Sequence, residues 1–175
     1  MKIDLRAHKA YLALTVIAAG TLLTGAASGG PASGAEAPAA AASHRTGEAE
    51  IRDLFDDWNA ALATGDPETV ADLYAPDAVL EPTLSNVIRS DRAGIVDYFE
   101  HFLRQRPVGE IDASYVELLG RDAAVDSGAY TFTLTDPETG EVSEVAARYT
   151  FVYERDRHSD AWRIVNHHSS AMPEG

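Results

Sequence analysis

The chain has 175 residues and a formal net charge of −14, enough for one domain of ordinary size and acidic enough to repel phosphate backbones, so nucleic acid is not an expected partner. It has no cysteine, which removes thiol nucleophiles, disulfides and cysteine-ligated metals. Its two lysines, Lys2 and Lys9, lie at the extreme N-terminus, so Schiff-base chemistry in the folded part is excluded as well.

Lys2, Arg6 and Lys9 lead into the apolar run YLALTVIAAGTLLTG, and small residues follow (GAASGG). This is the three-part layout of a secretory signal peptide, predicted over residues 1–27 with cleavage near Ala27. The run is too short and too glycine-interrupted for a membrane span, which needs roughly 20 apolar residues. The expected location is therefore secreted or extracytoplasmic, with an uncleaved N-terminal anchor as the alternative. Residues 28–47 are low in complexity and have no periodic apolar face, which predicts a flexible linker before a domain over 48–175.

The segment AEIRDLFDDWNAALATGD places Ile51, Leu54, Phe55, Trp58 and Leu62 on one stripe, which predicts a helix ending near Gly65. Asp66-Pro67 is an N-cap followed by proline at the first helical position, so a second helix is predicted from Pro67 to about Tyr74, burying Val70 and Leu73 and stopped by Pro76. A short strand is predicted over 77–83, then a loop, then a third helix between Ser90 and Pro107 with Ile95, Phe99, Phe102 and Leu103 inward.

After Pro107 the period changes to alternation. Four strands are predicted, IDASYVELLG, AAVDSGAYTFTLTD, SEVAARYTFVYE and AWRIVNHHSS, joined by turns short enough to require antiparallel neighbours. The class is α+β, one curved antiparallel sheet with about three N-terminal helices on one face. In the third of these strands Val145, Ala147, Tyr149, Phe151 and Tyr153 share a face opposite Ala146, Arg148, Thr150 and Val152. Both faces are largely apolar and the helices cover only one, so the other predicts a contiguous apolar patch and a homo-oligomer formed sheet to sheet.

WNAALATGDPETVADLYAPDAVLEPTLSNVIRS, IVDYFEHFLRQRPVGEI, SGAYTFT, ARYTFVYE and WRIVNHHSSAMPE resemble the bacterial relatives of the calcium/calmodulin-dependent protein kinase II association domain, in the nuclear transport factor 2-like superfamily with the SnoaL-like and SgcJ/EcaC proteins. The resemblance covers about residues 48–174. It implies a cone-shaped domain with a bent sheet around a long N-terminal helix, a pocket at the open end, and dimers or rings of dimers. It does not carry calcium signalling over, since no kinase activity is expected of the chain itself. Ser169 stands where the kinase hub has an arginine after its final histidine, and Arg148 is the nearest substitute.

Arg148, in the middle of an apolar strand, reads either as an anion clamp inside the cone or as an ion pair with Glu81, Asp57 or Asp97. Strand parity splits HHSS: Trp162, Ile164, Asn166, His168 and Ser170 share one face, and Arg163, Val165, His167 and Ser169 the other. At most one histidine then faces the pocket, so neither a metal site nor a Ser-His nucleophile is expected. The inward histidine, His167 or His168, is a candidate for acid–base work or a backbone-bonded structural residue. Trp58, Tyr74, Tyr98 and Tyr130 are candidate pocket walls or core, and Glu81, Thr83, Asn86 and Ser169 candidate rim residues.

The function expected from the sequence is a homo-oligomeric association-domain-like protein whose cone binds a small polar or anionic molecule through Arg148 and one histidine. Its alternative is a SnoaL-like isomerase, cyclase or hydratase acting by acid–base chemistry. No glycine-rich nucleotide loop is present, so no cofactor is expected. A third reading, a purely structural assembly module, predicts a filled cone.

Overall fold

A computed structural model describes residues 36–173, with side chains from Gly47 onward. The predicted leader, and residues 28–35 of the predicted linker, lie outside the described residues. Three helices come first: α1 (Glu36–Ala63), α2 (Pro67–Ala71) and, after a strand, α3 (Arg92–Phe102), which runs into a 3₁₀ turn at Leu103–Gln105. The strands are β1 (Tyr74–Glu81), β2 (Val108–Leu118), β3 (Ala123–Thr135), β4 (Val142–Arg155) and β5 (Trp162–Ala171). They form one open sheet in the order β1-β5-β4-β3-β2.

α1 begins at Glu36, inside the stretch predicted to be linker. Residues 39–42 are four alanines, the strongest helix formers, and Pro38 falls in the first turn, where its missing N–H is no loss. The stripe then works as predicted: Ile51, Phe55, Trp58 and Leu62 are all buried. Gly65, at φ 71°, takes the left-handed position just beyond the helix.

α2 is shorter than predicted. Asp66 caps it by accepting from the Glu68 N–H at 3.1 Å, but it ends at Ala71. The Leu73 carbonyl accepts from the Ile164 N–H at 2.9 Å, so the chain is drawn into the sheet and Tyr74 opens β1 instead of closing the helix. Pro76 lies within β1, where an edge position and the register shift between Tyr74 and Val79 spare its missing donor.

The sheet is mixed, not wholly antiparallel. β2, β3, β4 and β5 form the predicted meander, while β1 lies parallel to β5, with Leu80 opposite His167 and Glu81 opposite His168. β1 is followed by a helix rather than a strand, so its sheet partner comes from the far end of the chain. Register shifts at Ile111/Ala113 in β2 and Val152/Tyr153 in β4 bend the sheet. The second of these leaves Val165 unpaired between Ile164, opposite Tyr153, and Asn166, opposite Val152. It re-phases β5, which is why Ile164 and His167 are both buried although simple alternation sets them on opposite faces.

The concave face carries Tyr130, Phe132, Leu134, Tyr149, Phe151 and Tyr153, all buried against the α1 stripe and α3. Trp58 stands edge-on to Phe99, Phe132 and Phe151 at 5.5–6.4 Å between ring centres. Asn59 ties α1 to β2 at two points, donating to the Gly109 carbonyl at 3.0 Å and accepting its N–H at 2.9 Å.

The convex face is covered by no element of the described chain. Its rows run Ala113–Ala129–Arg148–Ser170 and Tyr115–Ser127–Thr150–His168, followed by Glu117–Val125–Val152–Asn166. The predicted apolar patch is therefore broken: small, hydroxyl and β-branched residues alternate with charge, and Tyr115 is 71% exposed at its edge.

Candidate functional site

The cleft at the open end of the cone lies between the rim loop after β1, α3 and the concave ends of β3, β4 and β5. Trp58, Leu80, Tyr98, Phe99, Phe132 and Leu134 form much of its wall, and its free volume is about 30 Å³. That is room for a water molecule or a small chemical group, against the roughly 150 Å³ of a cavity that takes benzene. The cone is thus largely filled by its own aromatics.

Two polar arrangements interrupt this wall. The first is a hydroxyl row near the rim, in which the Tyr130 O–H donates to Ser169 Oγ at 2.6 Å and Thr83 Oγ1 pairs with the same Ser169 oxygen. Burial raises the Tyr130 phenol to about 12, so it is a neutral donor.

The second is a chain of bonds leading inward from the core. Trp58 Nε1 donates to the Tyr74 hydroxyl at 3.1 Å, and that hydroxyl lies 2.9 Å from His167 Nδ1. The imidazole stacks on Phe151 with ring centres 4.0 Å apart and meets Trp58 edge-on at 5.4 Å. His167 is 4% exposed, and its Nε2 has no hydrogen-bond partner. Burial, with a smaller effect from His168, pushes its pKa down to about 3, because the cationic form loses its hydration in this aromatic surround.

Strand phase puts His167 and Ser169 on the concave side and leaves His168 exposed on the other, so one histidine and one serine of HHSS face the cleft. Thr83, Tyr98, Tyr130 and Trp58 also line it. Tyr74 stands behind the wall and acts through His167. Glu81 pairs beside His168, and Asn86 is exposed on the loop; neither lines the cleft.

Arg148 is a correction to both sequence readings. It is exposed on the convex face, where its guanidinium donates to Ser170 Oγ at 3.3 Å. It neither clamps an anion in the cone nor pairs with Glu81, Asp57 or Asp97. The alternation that placed it opposite Tyr149 already put it outside; its surroundings there are small and polar, so no buried partner is needed.

Sequence reasoning missed Asp126, which is 1% exposed on the concave side of β3. Ser114 Oγ donates to it at 2.8 Å and the Tyr149 hydroxyl at 3.2 Å. Burial raises its pKa. Its parity with Tyr130 and Phe132 was the available signal. Among the described residues no three His, Asp or Glu side chains come together as a metal site, and no helix is long and apolar enough to cross a membrane.

The family model of the calcium/calmodulin dependent protein kinase II association domain matches residues 47–173. A crystal structure from Xanthomonas campestris, named for the same association domain, is 60% identical, with a TM-score of 0.69 over 72% of this chain and 88% of that one. A nuclear transport factor 2-like superfamily protein from Salmonella enterica (19% identity, TM-score 0.65, 75% of this chain and 94% of that one) shares the fold. So does the association domain of Caenorhabditis elegans CaMKII (16% identity, TM-score 0.59, 74% and 98%). No curated protein matches. The fold is therefore nuclear transport factor 2-like, and the chain belongs to the calcium/calmodulin dependent protein kinase II association domain family.

Proposed function

We propose that the chain is a homo-oligomeric association module, carried out of the cytoplasm by its N-terminal leader, with a cone that holds a small molecule. The convex face carries the association reading. β2, β3, β4 and β5 present rows of small, hydroxyl and β-branched side chains, interrupted by Arg148 and Glu117, that no element of the described chain covers, and a second copy offers the same surface in return, as a two-fold contact requires. The largely filled cone favours assembly over binding of a large ligand, and the small-molecule reading is confined to a group that fits about 30 Å³; it is supported by His167, a wall residue whose Nε2 has no partner.

The acid–base enzyme reading is the weaker one, because burial pushes the His167 pKa down to about 3, far from the near-neutral value that suits a general acid or base. Sedimentation of the wild type and of Thr150→Arg, at the centre of the convex face, tests the association. The expected result is a dimer or larger wild type and a monomeric variant with an unchanged circular dichroism spectrum. A monomeric wild type at tens of micromolar, or a variant that still associates, refutes it.

A further inference from the structure

We infer that His167 presents an Nε2–H donor to the cone, and that the ligand class it takes is a small uncharged hydrogen-bond acceptor, a carbonyl above all, rather than an anion. The inference deepens the small-molecule reading above and rests on it.

The Trp58 indole N–H donates and never accepts. The Tyr74 oxygen therefore accepts from it, and the single Tyr74 O–H proton needs an acceptor of its own. His167 Nδ1, at 2.9 Å, supplies it. The opposite arrangement, with Nδ1–H donating to Tyr74, leaves both the phenol proton and the Nε2 lone pair without partners, whereas this one leaves only the Nε2–H. Nδ1 is thus the lone-pair nitrogen, and a neutral imidazole must carry its proton on Nε2.

Nδ1 is turned to Tyr74, which does not line the cleft, while the imidazole ring does; Nε2 is the ring nitrogen left over. That nitrogen is buried and without a partner, whereas the buried oxygens of the Tyr130–Ser169–Thr83 row are all bonded to one another. Among the fully buried polar atoms of the described wall, Nε2 alone has no partner. Among the described residues no charged side chain lines the cleft, and an anion entering an apolar wall with no cation loses its hydration without compensation. A carbonyl oxygen needs only the one donor, and the free volume of about 30 Å³ takes a group of that size.

The test uses the 15N-labelled full chain at pH 7 and three probes of similar size: acetone, acetate and xenon. Long-range proton–nitrogen spectra are expected to find Nε2 of His167 protonated and Nδ1 bare. Acetone should shift the Nε2–H resonance saturably, xenon should shift the Leu80 and Leu134 methyls, and acetate should move neither. Tyr74→Phe keeps the ring and removes the proton donor to Nδ1. Both tautomers should then be populated, with the acetone shift reduced to about half and the xenon response retained. An Nδ1-protonated His167, or acetate acting as acetone does, overturns the inference and leaves the cone-binding reading standing. Failure of both xenon and acetone to enter overturns that reading together with the inference.

Discussion

His167 should make the domain acid-sensitive in a way that one substitution removes. Its folded pKa is about 3 against 6.5 for an unperturbed imidazole, so between those values the unfolded chain binds one proton that the folded chain refuses. Stability is complete above pH 6.5 and falls as pH drops toward 3, with a slope of about 1.4 kcal/mol per pH unit over the linear part. The loss is about 2 kcal/mol at pH 5 and roughly 5 kcal/mol by pH 3, a large share of the ~5–15 kcal/mol that holds a domain of this size together. The measurement is urea unfolding at half-unit steps from pH 7.5 to 4.5 for the wild type and for His167→Gln, whose amide oxygen can still accept from Tyr74. The variant starts from a lower stability, but the wild type should lose about 2 kcal/mol more than it does between pH 7.5 and 5. Parallel curves, or a His167 resonance that titrates near 6.5, refute the reasoning.

A methyl group at Gly128 would sit 1.8 Å from the Ala113 carbonyl oxygen of the neighbouring strand. Gly128→Ala should thus cost about 3 kcal/mol or more, read as a fall in melting temperature or a failure to accumulate folded protein. The β3–β4 and β4–β5 turns are built alike: Asp136 and Asp156 each accept two backbone N–H groups, and Gly140 (φ 74°) and Asp160 (φ 59°) hold the left-handed position. Asp160→Gly should raise stability by about 0.5–1 kcal/mol and Gly140→Ala lower it by about 1 kcal/mol, both measured by urea unfolding. Arg148→Ala should leave the stability of the monomeric Thr150→Arg background within about 0.5 kcal/mol, since its hydrogen bond to Ser170 is long and exposed; a loss above 2 kcal/mol would contradict its convex placement.

Much of the fold was legible because the signals were periodic. The α1 stripe, the inward set on α3 and the four meander strands all follow from spacing, and the family from the ordered motifs. What was not legible depended on contacts between distant segments. The parallel pairing of β1 with β5 joins residues about 90 positions apart and draws Tyr74 out of the predicted helix. The unpaired Val165 in β5 re-phases Ile164 against His167, which strict alternation could not register. At the site, alternation grouped His167 with Ser169 and His168 with Ser170 but left open which pair faces the cone, and it set Arg148 on the face opposite Tyr149. The expectation of a buried arginine came from reading its strand as apolar on both faces. The role of Tyr74 as the link between Trp58 and His167 was hidden, because three separate elements supply the three side chains.

Native mass spectrometry of the protein recovered from the secreting cell reads export and assembly in one spectrum. An exported association module gives a chain beginning near Ser28 in a complex of two or more copies; a full-length monomer would contradict it.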